Sequence, residues 1–335
     1  MNMHFDGAPE TGGDFDYPRG WFVVCLSDEV NNETPTPLHF FGTKYLAFRN
    51  TKNEVVILDG LCPHMGSEIA VGGVVDGDGV RCPFHFWHYD ETGKCDDIPY
   101  AKRIPPQAKL NQYPAAEKNG LIFMWHDPLA GEPDYEIPDI AEWNEPNWIK
   151  WSPVTFTVKT HAREIIDNIA DKAHFDPVHG SIVETFDVSF DGHTATQVQS
   201  GGHKTLAMEG GGKLHTSATY HGPGYLLTDM TGMMGSKMLV AHTPITVEGN
   251  GEVRVWYGLM VDTMGVDTPE MKEGAAMFTE SGREAFWQDV AIWEAKATIN
   301  KPLLCDGDGP IMKAREWYAQ FYNPRPDQEQ KAAAE

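Results

Sequence analysis

The sequence predicts an α+β protein with two domains, in which an all-β N-terminal domain precedes a domain with an antiparallel sheet and a long C-terminal helix. Three observations lead to this prediction. The chain has 335 residues, which corresponds to roughly two domains of about 150 residues. Short β-rich runs without helical periodicity fill its first third. Strand-like alternation returns in the second half and is followed by a long stretch rich in Ala, Glu, Lys and Met without proline.

The N-terminal domain is expected over residues 17–126, after an acidic, Gly-rich lead of residues 1–16 that we expect to be flexible. Turn-forming dipeptides separate its β-rich runs, and no segment with a 3.6-residue period interrupts them. We predict strands over 21–26, 38–41, 44–48 and 55–58.

The second domain is expected over residues 127–325, because the segment 126–148 carries four prolines and little periodicity, as is typical between domains. Apolar residues from Ile165 to Ala173 recur at helical spacing and predict a helix of about twelve residues that ends near His174, before Pro177. We further predict strands between residues 186 and 262, one helix from 269 to about 298, and a flexible tail over 326–335.

Charge and composition exclude several classes of protein. The chain has 26 Lys and Arg against 49 Asp and Glu, a formal net charge of −23, which argues against nucleic acid as a partner. No run approaches the ~18 apolar residues of a membrane span, and the N-terminus lacks a signal-peptide pattern. We therefore expect no membrane span and a cytoplasmic location. Five cysteines, an odd and small number, argue against a disulfide framework.

Two Cys/His pairs form the first candidate metal site. Cys62-Pro-His64 is followed, seventeen residues later, by Cys82-Pro-Phe-His85. A structural zinc site is one alternative, but zinc sequences usually pair Cys with Cys and His with His. One Cys and one His in each arm favour a Rieske [2Fe–2S] cluster, in which one iron takes both thiolates and the other both imidazoles. The remaining cysteines, Cys25, Cys95 and Cys305, are interpreted as buried free thiols.

A second candidate site lies around His174 and His179. Their spacing allows the two imidazoles to converge, and a carboxylate from elsewhere would complete a facial triad for non-haem Fe(II). Asp289 is the candidate, because its neighbours one helical turn away on either side are apolar and an unpaired buried carboxylate is unfavourable without a cation. The alternatives are a partly exposed position at the edge of the apolar stripe and an ion pair with Lys296 or Arg283; Glu284 and Glu294 have more polar surroundings.

Two polar residues precede His174 on the same predicted helix face. Asp171, one turn earlier, is placed to accept a proton from the imidazole nitrogen of His174 that does not bind iron. Asn168, one further turn back, supports the site or caps the helix; the sequence leaves both roles open.

With both sites in view, the chain resembles the oxygenase component of Rieske non-haem iron oxygenases. The resemblance covers nearly the whole chain, and its C-terminal part is similar to 3-ketosteroid 9α-hydroxylases and related sterol-acting enzymes. Family members commonly have Gly and Arg where this chain has Phe86 and His88. The sequences that carry the resemblance are Tyr17-Pro-Arg-Gly-Trp-Phe22, LCPHMG, CPFHFWHYD, the run that ends at His126, the DxxHxxxxH block and residues 286–322.

The resemblance implies a helix-grip (START-like) catalytic domain and ring-shaped homotrimers, in which the cluster of one subunit supplies the iron of the next. It also implies an enzyme that inserts oxygen from O2 into an apolar substrate. In this interpretation Asp171 bridges the two centres. The ligands would be Cys62, His64, Cys82 and His85 for the [2Fe–2S] cluster, and His174, His179 and Asp289 for Fe(II).

Electrons are expected from NAD(P)H through a separate ferredoxin or ferredoxin reductase. No GxGxxG follows a predicted strand, and the Gly210–Gly212 run lacks the strand and helix that a nucleotide site needs. The C-terminal resemblance favours a steroid or sterol substrate, and several Met and Phe side chains of the second domain would suit a bulky apolar pocket. The alternatives are an aromatic-ring dioxygenase, an O-demethylase, and a START-like carrier of apolar ligands. Those side chains are Met230, Met233, Met234, Met238, Phe186 and Phe190.

Overall fold

The computed structural model describes residues 13–202, 213–232 and 234–326. Contacts divide this chain into two units, residues 21–134 and residues 13–20 with 135–326. The Gly210–Gly212 run, Met233 and most of the two ends that we expect to be flexible lie outside the described residues. None of the helices in the described ranges is both long enough and apolar enough to cross a membrane.

The grouping of residues differs at two places from the expected bounds of 17–126 and 127–325. Residues 127–134 group with the first unit, where the indole Nε1 of Trp125 donates a 2.8 Å hydrogen bond to the carbonyl oxygen of Gly131. Residues 13–20 group with the second unit, because the amides of Phe15 and Arg19 donate to the carbonyls of Tyr322 and Phe321. The last residues of the N-terminal lead are thus held by backbone hydrogen bonds.

The first unit is built of short antiparallel strands in three small sheets, with strand orders β1-β11-β10, β2-β3-β4-β9 and β5-β6-β7-β8. All four strands predicted in this part of the chain are present. The strands are β1 (Gly20–Leu26), β2 (Thr36–Phe40), β3 (Thr43–Arg49), β4 (Val55–Asp59), β5 (Val74–Asp76), β6 (Gly79–Arg81), β7 (His88–Tyr89), β8 (Cys95–Asp97), β9 (Gln112–Tyr113), β10 (Ala115–Lys118) and β11 (Leu121–His126).

The second unit is dominated by one antiparallel sheet with the strand order β12-β19-β18-β17-β16-β15-β14, in which β13 also pairs with β19. In β16 buried side chains alternate with more exposed ones, so that one face of this strand lies on the core. The strands are β12 (Trp148–Ile149), β13 (Val154–Val158), β14 (Val183–Asp191), β15 (Thr194–Gly201), β16 (Leu214–His221), β17 (Tyr225–Thr231), β18 (Ser236–Thr246) and β19 (Glu252–Asp262).

Within the described residues of this unit, four α-helices accompany the sheet. The long one begins at Pro269, after the side chain of Thr268 accepts a hydrogen bond from the Met271 amide, and it ends at Ala295, slightly before the predicted end. The helices are α1 (Ala162–Ile166), α2 (Phe175–His179), α3 (Pro269–Ala295) and α4 (Ile311–Ala319), and 3-10 helices span Ser27–Glu29, Ala141–Asn144, Asp167–Ile169 and Gln320–Tyr322.

The predicted continuous helix that ends near His174 is wrong. The chain forms α1 and one 3-10 turn, leaves the helical path at Asp171, and begins α2 at Phe175. The carboxylate oxygen Oδ1 of Asp171 accepts hydrogen bonds from the amides of Ala173 and His174, a local turn that competes with the helix. Pro177 lies in the first turn of α2, where its missing N–H has no intrahelical role. His179 is therefore the last residue of a helix and not part of a loop.

A buried ion pair holds this segment against α4. The guanidinium of Arg315 binds both carboxylate oxygens of Asp167 at 2.5–3.1 Å, and both side chains are about nine-tenths buried. Arg315 also donates to the carbonyls of Ile299 and Asn300. The pair thus fixes the 3-10 turn that leads directly to Asp171.

Replacing Arg315 with Met leaves the Asp167 carboxylate buried without its cation. We expect a loss of stability of about 3 kcal/mol or more, and partial recovery when Asp167 is also replaced, by Asn. The thermal midpoint of the cofactor-loaded protein, followed by near-UV circular dichroism, measures this. The matched control is Arg283→Met, because Arg283 pairs with Glu280 at the surface and such pairs contribute about 1 kcal/mol at most. A midpoint for Arg315→Met equal to that of the control would contradict the assignment.

Candidate metal centres

The two Cys/His pairs lie on two loops of the first unit that have the same backbone hydrogen bonds. In the first loop the Gly66 amide donates to the carbonyl of Cys62, and the Cys62 amide donates to Ser67. In the second, the Phe86 amide donates to the carbonyl of Cys82, and the Cys82 amide to Trp87. Each loop follows a strand, β4 or β6. The sequence spacing therefore corresponds to two equivalent loops.

Phe86 occupies the position that Gly66 occupies in the other loop, and both have a left-handed backbone, with φ of 60° and 75°. A left-handed conformation is unfavourable for a residue with a side chain. The ring of Phe86 is 58% exposed and gains little from burial in this unit. This is the position at which the resemblance leads us to expect glycine, so the chain tolerates local strain there.

The four predicted cluster ligands are arranged as two thiols inside and two imidazoles nearer the surface. Cys62 and Cys82 are buried, and the rings of His64 and His85 lie 4.5 Å apart between centroids, nearly perpendicular. Burial raises the pKa of the Cys62 thiol, and the neighbouring Cys82 raises it further. Two adjacent thiolates therefore require a cationic centre, which fits the donor set of a Rieske cluster.

The other three cysteines lie outside this arrangement. Cys25 and Cys95 are buried free thiols, as we expect, and burial raises the pKa of Cys95 to about 11. Cys305 is exposed, so the prediction that it is buried is wrong. Cys305 lies in an irregular segment after α3, where its amide donates a hydrogen bond to a carboxylate oxygen of Asp308.

His174, His179 and Asp289 converge in the second unit, and their ligand atoms all lie within 4.8 Å of one another. The Nε2 atom of His179 is 3.3 Å from Oδ1 of Asp289, and Nε2 of His174 is 4.0 Å from the same oxygen. All three side chains are nearly buried. Two imidazoles and one carboxylate that meet at a point are the donor set of a facial triad for Fe(II).

The hydrogen bonds of the other imidazole nitrogens favour metal binding through Nε2. Nδ1 of His174 lies 2.6 Å from the backbone carbonyl oxygen of Asp171, and Nδ1 of His179 lies 2.9 Å from Oε1 of Gln288. Both partners are oxygens that accept a hydrogen bond, so Nδ1 is the donor in each ring and Nε2 is the nitrogen left to bind a metal. Gln288 was not identified from the sequence; its only signal is its position next to Asp289.

The negative charge of Asp289 affects the pKa of His179. Burial lowers that pKa, but the hydrogen bond and the negative charge of Asp289 outweigh burial and raise it above its ordinary value. The pocket therefore stabilises positive charge at the point where the three side chains meet. A cation at that point would satisfy Asp289 in the same way.

Asp289 reaches the site from the buried face of α3. Within this helix, all of whose residues the structure describes, it is the one charged residue among the eight that are buried. The alternative ion pairs do not form: Lys296 binds Glu164, and Arg283 binds Glu280. The carboxylate therefore has the two histidines as its ionisable neighbours among the described residues.

Asp171 and Asn168 lie beside the triad. The carboxylate of Asp171 is 3.7 Å from Nδ1 of His174, while its backbone oxygen makes the short hydrogen bond. Burial raises the pKa of Asp171, but its interactions with His174 and with the amides of His174 and Ala173 lower it overall, so the carboxylate is ionised at neutral pH. The side chain of Asn168 lines the cavity next to the triad.

A cavity of about 160 Å³ adjoins the triad. It lies between the inner face of the sheet and helix α3, and its lining is mostly apolar, as is typical of a small-molecule site. Met230 and Met238 line it, as we expect; Phe186, Phe190 and Met234 are described residues that do not.

Comparison with known proteins agrees with this arrangement. Residues 20–114 match the Rieske [2Fe-2S] domain, and residues 124–322 match the 3-ketosteroid 9alpha-hydroxylase C-terminal domain. An oxygenase component of 3-ketosteroid-9-alpha-monooxygenase from Rhodococcus rhodochrous is 37% identical over 91% of this chain and 81% of its own length. The protein of that name from Mycobacterium tuberculosis is 32% identical over 91% and 82%, and a cholesterol 7-desaturase from Caenorhabditis elegans is 31% identical over 91% and 77%.

A solved structure of dicamba monooxygenase bound to dicamba has a TM-score of 0.74 over 94% of this chain and 98% of its own, at 18% identity. At that identity the likeness concerns the fold, and it confirms the predicted fold class. The match to the 3-ketosteroid 9α-hydroxylase C-terminal domain covers more than half of the sequence. The chain therefore belongs to the 3-ketosteroid 9α-hydroxylase family of Rieske oxygenases and is an oxidoreductase.

Proposed function

We propose that this chain is the terminal oxygenase component of a monooxygenase that uses O2 to hydroxylate an apolar, polycyclic, steroid-like substrate. The observation that carries the proposal is the opening of a mostly apolar cavity onto the triad of His174, His179 and Asp289. The names of the relatives that are 32–37% identical support the steroid class. The oxygenase-component name also implies a separate ferredoxin or reductase that supplies electrons from NAD(P)H.

The two donor sets divide between the two cofactors. Cys62, His64, Cys82 and His85 would hold the [2Fe–2S] cluster, and His174, His179 and Asp289 would hold Fe(II). When bound, the iron supplies open positions for O2, and the cluster supplies electrons one at a time. In this scheme residues 17–126 serve as the cluster domain and residues 127–325 as the catalytic domain.

The protein side chains position these groups. The backbone oxygen of Asp171 and the side chain of Gln288 fix the imidazole planes and keep the proton on Nδ1. Asp289 supplies the negative charge opposite them. The apolar wall of the cavity excludes water from the substrate and orients it toward the triad.

Asp171 is proposed to couple the iron centre to the cluster of a neighbouring subunit in a homotrimer. Its ionised carboxylate is partly exposed and lies beside Nδ1 of His174. One carboxylate oxygen is occupied by two backbone amides, and the other remains available for a histidine of a cluster.

The function is tested by incubating iron-replete protein with 18O2, an NADH-fed ferredoxin system and a panel of 3-ketosteroids, sterols and polycyclic arenes. Mass spectrometry should find one labelled oxygen on a steroid. Two labelled oxygens on an arene would favour the aromatic-ring dioxygenase instead. If the cluster is reduced normally and no panel member gains oxygen, the steroid assignment is wrong; bound but unchanged ligand would favour the carrier.

Asp289→Ala should remove the mononuclear iron and reduce turnover to background, because two neutral imidazoles alone hold Fe(II) weakly. The spectrum of the [2Fe–2S] cluster should be unchanged. Iron analysis and product formation measure the effect. Glu284→Ala is the matched control, since Glu284 is an exposed carboxylate on the same helix. Full iron content and activity in Asp289→Ala would exclude Asp289 as a ligand.

Asp171→Asn removes the negative charge but retains a side-chain oxygen that can accept hydrogen bonds from the amides of Ala173 and His174. We therefore expect iron to remain bound while turnover falls about 10- to 100-fold. Single-turnover oxidation of the prereduced cluster measures the electron-transfer step directly. Asp176→Asn is the control, because Asp176 is an exposed carboxylate nearby in α2. Unaltered cluster oxidation in Asp171→Asn would exclude the bridging role.

A further inference from the structure

On β15, β16 and β17, three polar side-chain atoms that line the cavity have no hydrogen-bond partner within residues 13–202, 213–232 and 234–326. They are Oε1 of Gln199 and the hydroxyls of Thr216 and Thr228. All three side chains line the cavity beside the triad. Thr216 is 8% and Thr228 is 3% exposed. Buried hydroxyls without partners are unfavourable and uncommon, so these atoms point to a hydrogen-bonding group supplied from the cavity.

The strand register brings these three side chains together. Gln199 of β15 lies directly opposite Thr216 of β16. Thr228 of β17 lies opposite Ala218, two residues along β16 from Thr216, so the two threonines are diagonal neighbours. The small side chain of Ala218 lies between them. One ligand group can therefore reach more than one of the three atoms.

On the opposite face of the sheet, two pairs of hydroxyls are hydrogen-bonded to each other. On β16, Thr219 is one position from Ala218 on the opposite face, and its hydroxyl lies 3.0 Å from that of Thr196. Thr185 and Ser200 are 2.6 Å apart in the same way. The unpartnered threonines thus belong to the cavity face. Tyr257 also lines the cavity with an unpartnered hydroxyl, but it stands alone on β19, two strands from β17.

The surroundings of the three atoms select a neutral ligand group. Among the described residues that line the cavity there is no Lys or Arg, and the acidic one is Asp289 of the triad. A carboxylate or phosphate would lack a counter-charge there. A hydroxyl or carbonyl oxygen can accept from the threonine hydroxyls, and a hydroxyl can also donate to Gln199.

We propose that Gln199, Thr216 and Thr228 form a subsite that hydrogen-bonds a hydroxyl or carbonyl oxygen on the polycyclic substrate and thereby fixes its orientation toward the triad. This inference rests on the proposed function for the substrate class. The subsite determines which oxygenated members of that class bind, whereas the apolar lining contributes to the binding of all of them.

The test measures equilibrium dissociation constants, by isothermal titration with the iron-loaded full chain, for two matched ligand pairs. One pair is a 3-ketosteroid and its 3-deoxy counterpart, and the other is 9-hydroxyphenanthrene and phenanthrene. Wild type should bind the oxygenated member of a pair more tightly. Thr216→Val and Thr228→Val should each weaken its binding about five- to tenfold and leave the deoxygenated member unchanged.

Controls separate the subsite from an effect on folding. Thr219→Val makes the same substitution on the other face of β16 and should not change either constant. Thr216→Ser and Thr228→Ser retain a hydroxyl and should retain the preference for the oxygenated ligand. A valine variant that weakens binding of both members equally would indicate a change in cavity shape and would overturn the inference.

The outcomes also distinguish the subsite from the proposed function. If wild type oxygenates steroids but binds both members of each pair equally, the subsite is wrong and the function stands. If no steroid binds but the phenanthrene pair is discriminated and valine abolishes the difference, the steroid class is wrong and the subsite stands. If no member of either pair binds, the subsite is wrong for this cavity.

Discussion

The buried carboxylate of Asp289 is the constraint on which the second unit depends. It lies on the apolar face of α3, where an unpaired charge is strongly unfavourable. The Nε2 atoms of His174 and His179 are its ionisable neighbours, and their Nδ1 atoms are held by accepting oxygens. The site is therefore arranged for a cation whose ligands are a carboxylate and two imidazole lone pairs.

The segment that carries the histidines depends on interactions outside the triad. The carboxylate of Asp171 ends the first helical path, and Gly180, with a left-handed φ of 64°, ends α2 directly after His179. On the side of α4, the pair of Arg315 and Asp167 fixes the turn from which this segment starts. These interactions place both histidines on one short, well-anchored stretch, so that α3 needs to supply a single ligand.

Much of the fold and site could be predicted because the signals are local or periodic. The β-rich runs over 21–26, 38–41, 44–48 and 55–58 predict strands, and β1 to β4 lie there. The spacing of the Cys/His pairs identifies two equivalent loops. Asp289 could be predicted as a ligand because a carboxylate within an apolar helical stripe is unfavourable unless it binds a cation.

The rest depends on contacts that sequence patterns do not encode. Helical periodicity continues through Asp171, and the hydrogen bonds of its carboxylate that end the helix are visible only in the structure. Nothing in the sequence distinguishes Gln288 from other polar residues of the helix. Its contact with His179 is seen only in the structure, where its Oε1 lies 2.9 Å from Nδ1. Likewise, the polar side chains that meet on the cavity wall cannot be identified without knowing the register of β15, β16 and β17.

The most direct test of this account is a crystal structure of the iron-loaded full chain with anomalous diffraction measured at the iron absorption edge. We expect an iron peak at bonding distance from Nε2 of His174, Nε2 of His179 and a carboxylate oxygen of Asp289. We also expect a two-iron peak between the loops of Cys62 and Cys82. An iron-replete crystal with no anomalous peak at the triad, or with iron bound through other side chains, would contradict it.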